Sequence, residues 1–201
     1  MYKVIAISGY SGSGKTTISE ELLKRGNELI YFDFGFLFRP LTYYLTNELS
    51  LDEDGIRKFV LNGKLQQQID FTYKITCNKV EVGINGNFYS YEVLNTPKMN
   101  MDTVMVGSIV GDSLNDALRN IVDDLKCESN VLLNARRPVV AYPEVDYHIF
   151  LKTDFDERVK RKTLMNGESY EITLKKLKER DQKEKDSGFW EKYDFTQTID
   201  T

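Results

Sequence analysis

Apolar positions along this chain follow two rhythms. Tyr2 to Ser8 (YKVIAIS) is a short, nearly continuous apolar run, the pattern of a strand buried on both faces of a parallel sheet. A Gly/Ser-rich stretch from Gly9 to Gly14 follows. Lys15 to Arg25 then switches to helical spacing, with Ile18, Leu22 and Leu23 on one face, Lys24 and Arg25 in the last turn and Gly26 as a stop. Leu29 to Phe32 is a second strand, ending at Asp33. This strand–loop–helix–strand opening predicts a doubly wound α/β fold.

The rhythm changes near Phe71. Phe71, Tyr73, Ile75 and Cys77 alternate with polar residues, and Val80, Val82 and Ile84 alternate again. Asn85-Gly86 carries a type I′ turn signal, and Phe88 to Val93 keeps strand character. The segment predicts a small antiparallel meander inserted in the α/β domain, closed by the polar stretch from Asn95 to Asn100 with its Pro97. Helical spacing returns from Ser113 to Lys126, where Leu114, Leu118, Ile121, Val122 and Leu125 are core-like. Val131 to Leu133 and Tyr147 to Leu151 are strands. Asp154, with Glu157 three residues on, predicts a helix start running to about Met165, broken by Asn166-Gly167. A highly charged helix over Tyr170 to Lys185 and a strand near Gln197 to Ile199 complete the chain.

Composition narrows the class. The 201 residues suit one α/β domain with a small insert, and 41% hydrophobic residues supply a sizeable core. A net charge of −4 argues against nucleic acid as a bulk partner, so anions must be met by local cations. Cys77 and Cys127 have no metal-ligand spacing and predict free thiols in a reducing compartment. No signal-peptide pattern and no run of about 18 apolar residues is seen, so a cytoplasmic protein without a membrane partner is expected. The single histidine, His148, lies in an apolar strand without a visible catalytic partner and reads as structural.

The strongest chemical signal is Gly9-Tyr10-Ser11-Gly12-Ser13-Gly14-Lys15-Thr16, which fits G-x-x-x-x-G-K-[ST] at every fixed position, between a strand and a helix. Glycines let backbone N–H groups turn inward on phosphate oxygens, and the helix N-terminus adds positive partial charge. Lys15 can reach the β- and γ-phosphates, and the Thr16 hydroxyl can ligate Mg²⁺. Candidate ATP-binding residues are therefore Gly9, Ser11, Gly12, Ser13, Gly14, Lys15, Thr16 and Thr17.

A phosphate loop alone does not separate kinase from GTPase or motor. The nearest approach to the N-K-x-D base motif of GTPases is Asn78-Lys79-Val80-Glu81, which lacks the aspartate and reads as hairpin polarity. Asp52-Glu53-Asp54-Gly55 matches D-x-x-G by letters only. A small-molecule kinase needs a carboxylate near the second strand, an anion clamp for the acceptor and cations over the transferring phosphoryl. Asp33, Arg39, the helical pair Arg158 and Arg161, and Arg180 fill those places.

On these residues the sequence resembles the bacterial cytidylate kinase family over nearly its whole length. Asp33-Phe34-Gly35-Phe36-Leu37-Phe38-Arg39 resembles the family's D-[TS]-G-x-x-[YF]-R, and Asn134-Ala135-Arg136-Arg137 its D-G-R-D. Phe150 to Lys162 resembles the lid entrance F-L-x-A-x-x-E-E-R-A-x-R-R. Glu179-Arg180-Asp181-Gln182-Lys183-Glu184 resembles E-R-D-x-x-D, and Asp194 to Thr201 the closing D-A-x-x-[IL]-D-[ST]-T.

The resemblance implies a three-layer α/β/α P-loop fold in a single domain over 1–201, with a β-rich acceptor-binding insert over 62–100 and an Arg-rich lid over 152–186. It implies a monomeric, ATP- and Mg²⁺-dependent kinase of a nucleoside monophosphate, CMP or dCMP first. Lys15, Asp33, Arg158 and Arg161 would be catalytic, and Thr16 and Asp33 would serve the metal. Asp33, Arg39, Arg136, Arg137, Arg180 and Glu184 would meet the acceptor or bridge phosphates on closure.

Departures concentrate on the acceptor side. The two aspartates of D-G-R-D are Asn134 and Arg137 here, the arginine of the family's I-R-T stretch, which Leu94-Asn95-Thr96 resembles, is Asn95, and the last aspartate of R-D-x-x-D is Glu184. An added cation at Arg137 points to a more anionic acceptor or one held differently. Kinase of another small metabolite, and nucleotide-binding regulatory protein without efficient transfer, stand as alternatives.

Overall fold

The computed structural model describes the chain apart from Met1, Asn27, Arg136, Arg137 and residues 187–194, and apart from the side chains of Asp112, Lys183 and Glu184. Its elements in chain order are β1 (Val4–Gly9), α1 (Lys15–Arg25), β2 (Leu29–Asp33), α2 (Gly35–Tyr43), α3 (Glu53–Leu61), α4 (Lys64–Gln68), β3 (Phe71–Thr76), β4 (Lys79–Ile84), α5 (Tyr91–Leu94), α6 (Pro97–Val110), α7 (Asn115–Glu128), β5 (Asn130–Asn134), α8 (Pro138–Ala141), β6 (Tyr147–Lys152), α9 (Phe155–Asn166), α10 (Tyr170–Asp186) and β7 (Gln197–Asp200). The strands form a seven-stranded, mostly parallel sheet in the order β3-β4-β2-β5-β1-β6-β7, with a single antiparallel pair among those described, flanked by helices. This is the α/β class that the alternating strand and helix patterns predict.

The chain divides into two compact units. The first comprises Met1–Tyr2 and Glu28–Val131. In it β3 and β4 pair antiparallel from Phe71 opposite Ile84 to Thr76 opposite Lys79, and β4 runs parallel to β2 with Lys79 opposite Tyr31. The hairpin turns at Cys77-Asn78, both at positive φ (50° and 60°), the geometry of a type I′ turn. Its core is built from Phe32, Leu37, Leu41, Leu45, Ile56, Val80, Ile84 and Val122, all fully buried.

Two segments of this unit differ from the sequence expectation. Phe88 to Val93 makes no strand: the tight turn Ile84–Asn87 closes on itself, and Ser90 leads into the single-turn α5. The aromatic residues that looked strand-like pack elsewhere. Phe88 lies under the Lys74 ammonium at 4.6 Å, and Tyr89 packs on Tyr43 at 4.7 Å between ring centres. The polar stretch around Pro97 is the start of the fourteen-residue α6, not a closing loop. Thr96 caps it by accepting from Met99 N, and Pro97 sits in the first turn, where a missing N–H costs nothing. The D-x-x-G letters at Asp52 are likewise a helix start, with Asp52 accepting from Gly55 N at 2.8 Å.

The second unit comprises Lys3–Asn27 and Leu132–Thr201. Its strands β1, β6 and β7 are parallel, with Ile7 opposite Ile149 and Ile149 opposite Gln197. His148 is buried beside Ser8, Nε2 to Oγ 2.6 Å, and packs at a tilt against Phe195, which fits its structural reading. Asp154 caps α9 through Asp156 N, whereas Glu157, placed by the capping-box pattern to reach back, pairs forward with Arg161 instead.

Candidate active site

Every chemical group of the phosphate loop lies in the second unit. β1 delivers the chain at Gly9, and α1 begins at Lys15. Between them the backbone turns through Gly12 and Gly14, both at φ 86°, a region that only glycine occupies without strain. Ser13 is buried, and its carbonyl accepts from the hydroxyls of Thr153 (3.5 Å) and Thr201 (3.2 Å), which ties the loop to the ends of β6 and β7. Lys15 Nζ donates to the carbonyls of Gly9 (2.7 Å) and Tyr10 (3.1 Å), so the ammonium spans the mouth of its own loop. Thr16 and Thr17 are exposed on the first turn of α1. Backbone N–H groups at a helix start, an ammonium and exposed hydroxyls form a site suited to polyphosphate.

Three of the predicted cations belong to the same unit. Arg161 is half-exposed, bonded through Nε to Glu157 at 3.0 Å, and one of its terminal nitrogens lies 3.7 Å from where a Cβ on Gly14 would stand. Arg158 is buried, 4% exposed, and ion-paired with Asp181 at 2.5 Å. Arg180 is half-buried close to Lys162. Burial, and after it the positive charge of Arg180, lowers the pKa of Lys162 from its ordinary value. Sequence reasoning brought Arg158 and Arg161 together by spacing, but it missed Asp181 and Tyr10, which take up the Arg158 guanidinium. The acidic residue within the E-R-D run was the available signal.

The first unit holds two predicted residues. Asp33 ends β2, with its carboxylate accepting from Gly35 N (2.7 Å) and the Tyr31 hydroxyl (3.0 Å). Arg39, on α2, donates to Leu94 O at 2.8 Å and to the Asn95 side-chain oxygen. The Asn95 amide in turn donates to Tyr91 O, 3.0 Å. Asn95, the residue standing where the resembled motif has an arginine, thus holds Arg39 together with the Leu94 carbonyl. Nearby, burial first and the Glu48 carboxylate second push the Tyr89 hydroxyl above its ordinary pKa, so it stays protonated at neutral pH. Asn134 is buried at the end of β5. Arg136, Arg137 and the Glu184 side chain lie outside the described residues.

Among the described residues no group of three or more His, Cys, Asp or Glu could hold a metal ion, and no helix is long and apolar enough to cross a membrane. Cys77 and Cys127 are exposed free thiols.

Comparison with known proteins adds an independent observation. The family model described as cytidylate kinase matches residues 5–191. The chain is similar to the cytidylate kinase of Fusobacterium nucleatum, 31% identical over 186 residues that cover 89% of this chain and 79% of that protein. It is similar to the cytidylate kinase of Carboxydothermus hydrogenoformans, 30% identical over 191 residues, again 89% and 79%. The bifunctional pantoate ligase/cytidylate kinase of Prochlorococcus marinus is 29% identical over 182 residues, 88% of this chain but 34% of that longer protein.

Proposed function

The chain belongs to the cytidylate kinase family, and we propose that within it the protein transfers the γ-phosphoryl of ATP to CMP or dCMP. The observation that carries this reading is the phosphate loop, closed around Lys15 at the start of α1. In the proposed reaction Lys15 exchanges its loop carbonyls for oxygens of the transferring phosphoryl. The N–H groups at the start of α1 hold the remaining phosphate charge. Arg161, whose surface pair with Glu157 is readily exchanged, swings onto the phosphoryl as charge develops on it. Arg180 bridges phosphates as exposed side chains of the lid segment 152–186 close over the nucleotide and exclude water.

On the acceptor side, segment 62–100 contributes to the binding region. Arg39, preset by Asn95, grips the monophosphate together with Arg136, while Arg137 and Glu184 replace the family's usual acceptor contacts. Mg²⁺ keeps most of its waters and needs few protein ligands beyond phosphate oxygens. The exposed Thr16 hydroxyl and the Asp33 carboxylate are each oxygen donors of that hard kind, and in the proposed reaction Thr16 would hold the ion and Asp33 would organise its waters. When bound, the ion neutralises charge on the β- and γ-phosphates. The reading places a monomeric enzyme in the cytoplasm.

The test is ADP formation with Mg²⁺ against a panel of nucleoside monophosphates and a no-acceptor control. Strongest stimulation by CMP or dCMP is expected. Stimulation confined to another monophosphate would replace the acceptor, and none at all would overturn the proposal.

A further inference from the structure

We propose that Arg158, Asp181 and Tyr10 form a clasp that fixes the phosphate loop to α10, which makes Arg158 a positioning residue and not a cation that meets the transferring phosphoryl. A cation that meets phosphate needs terminal N–H groups it can turn to the ligand. Arg158 is not placed to do so: it is 4% exposed, and its guanidinium fork donates to both Asp181 oxygens (3.3 and 2.5 Å) and to Ser11 O at 3.3 Å. The guanidinium carbon lies 4.8 Å from the Tyr10 ring centre and 5.1 Å from that of Phe155, so aromatic faces cover the group. Tyr10 itself is braced edge-on by Phe150, 6.1 Å between ring centres.

The backbone makes the same contact. A Cβ on Gly12 would stand 2.9 Å from Arg158 O, so the first turn of α9 rests directly on the loop. One buried side chain therefore touches loop residues 10 and 11, the start of α9, and Asp181 in the C-terminal half of α10. Such a pair is hard to open, because separating it leaves a charge buried without its counterion. Arg161 is the opposite case, with its side chain 39% exposed and an exchangeable surface partner. The two arginines share one spacing on one helix and divide the work: Arg161 is free to move onto phosphate, and Arg158 sets where the loop N–H groups point. The inference rests on ATP being the loop's ligand, and not on the identity of the acceptor.

The experiment measures ATP affinity by calorimetry, and kcat and KM where an acceptor is known, for Arg158→Lys, Asp181→Asn, their double variant and Tyr10→Leu in the full chain. Each charge variant should weaken ATP binding about tenfold with kcat changed only a few-fold, and the double should be no worse than the worse single, as for groups acting as one unit. Tyr10→Leu, which leaves the ion pair in place, should weaken binding less. A kcat loss of about a hundredfold or more in Arg158→Lys, with ATP affinity intact and Asp181→Asn like the wild type, would overturn the proposal in favour of a phosphate-facing Arg158. Unchanged ATP affinity in all four would also overturn it, leaving the pair merely structural. Should the charge variants not fold, hydrogen exchange on the wild type decides: ATP should slow exchange in α10 around Asp181, and no slowing there would count against the clasp. Failure of every acceptor leaves the ATP-affinity arm untouched, so the two failures are told apart.

Discussion

Replacing Gly12 and Gly14 by alanine, one at a time, tests how the phosphate loop is seated. Both glycines have φ 86°, so both alanines bear the left-handed backbone penalty, about 1–2 kcal/mol. Their surroundings differ. At Gly14 the nearest atom to a new Cβ is a terminal nitrogen of Arg161 at 3.7 Å, an ordinary contact with the end of a flexible side chain. At Gly12 the new atom meets Arg158 O at 2.9 Å, its Cβ at 3.1 Å and its Cα at 3.3 Å. That is backbone of a residue locked by a buried ion pair, and it cannot step aside. Overpacking of this kind adds about 1–3 kcal/mol. Gly12→Ala should therefore cost about 2–5 kcal/mol in total and Gly14→Ala about 1–2 kcal/mol. The difference converts to roughly 2–12 °C in melting temperature for a chain of this size. Thermal unfolding followed by circular dichroism without nucleotide reads it directly. Equal melting temperatures, or a lower one for Gly14→Ala, would refute the contact between α9 and the loop.

Other outcomes follow from single residues. Lys15→Ala should abolish phosphoryl transfer and weaken ATP binding, checked by initial rates and calorimetry, because no second ammonium of the loop replaces it. Arg161→Ala should lower kcat by a factor of about a hundred or more with ATP affinity nearly intact, a split visible in steady-state kinetics. Lys162 has a depressed pKa in the fold, so between that value and its unfolded value of 10.5 the unfolded chain binds more protons and the group's contribution to stability rises with pH. Urea denaturation of Lys162→Met across alkaline pH should lack that rise; an unchanged pH profile would refute the burial argument. Arg137→Ala should weaken acceptor binding, read as a higher acceptor KM, and an unchanged KM would remove Arg137 from the acceptor site.

What was legible in the sequence was legible for physical reasons. The glycines, lysine and threonine of the phosphate loop fix chemistry and backbone geometry together, and the apolar runs of β1, β2, β5 and β6 are strands that burial on both faces makes conspicuous. Helix α6 was not legible because its apolar residues do not share one face: Met99, Val106 and Val110 are buried, while Met101 and Val104 are about 70% exposed. Its true signal was the Thr96-Pro97 start, outweighed by the polar residues around it. The strand pattern at Phe88 to Val93 misled because aromatic residues serve a packed ring pair as well as a pleated surface. On the site, spacing placed Arg158 and Arg161 on one helix but could not separate them. Burial separates them, and burial depends on Tyr10 and Asp181, far away in sequence. Asn95 looked like a lost arginine by motif, and only its bond to Arg39 gives it a place.

The most direct measurement follows the label. Incubating the protein with Mg²⁺, ATP labelled on the γ-phosphoryl and CMP, then separating the nucleotides, should show the label in CDP, with none appearing in wild-type yield when Lys15→Ala is used instead. Label found only in inorganic phosphate, or retained in ATP with each nucleoside monophosphate offered, would contradict a nucleoside monophosphate kinase built on this loop.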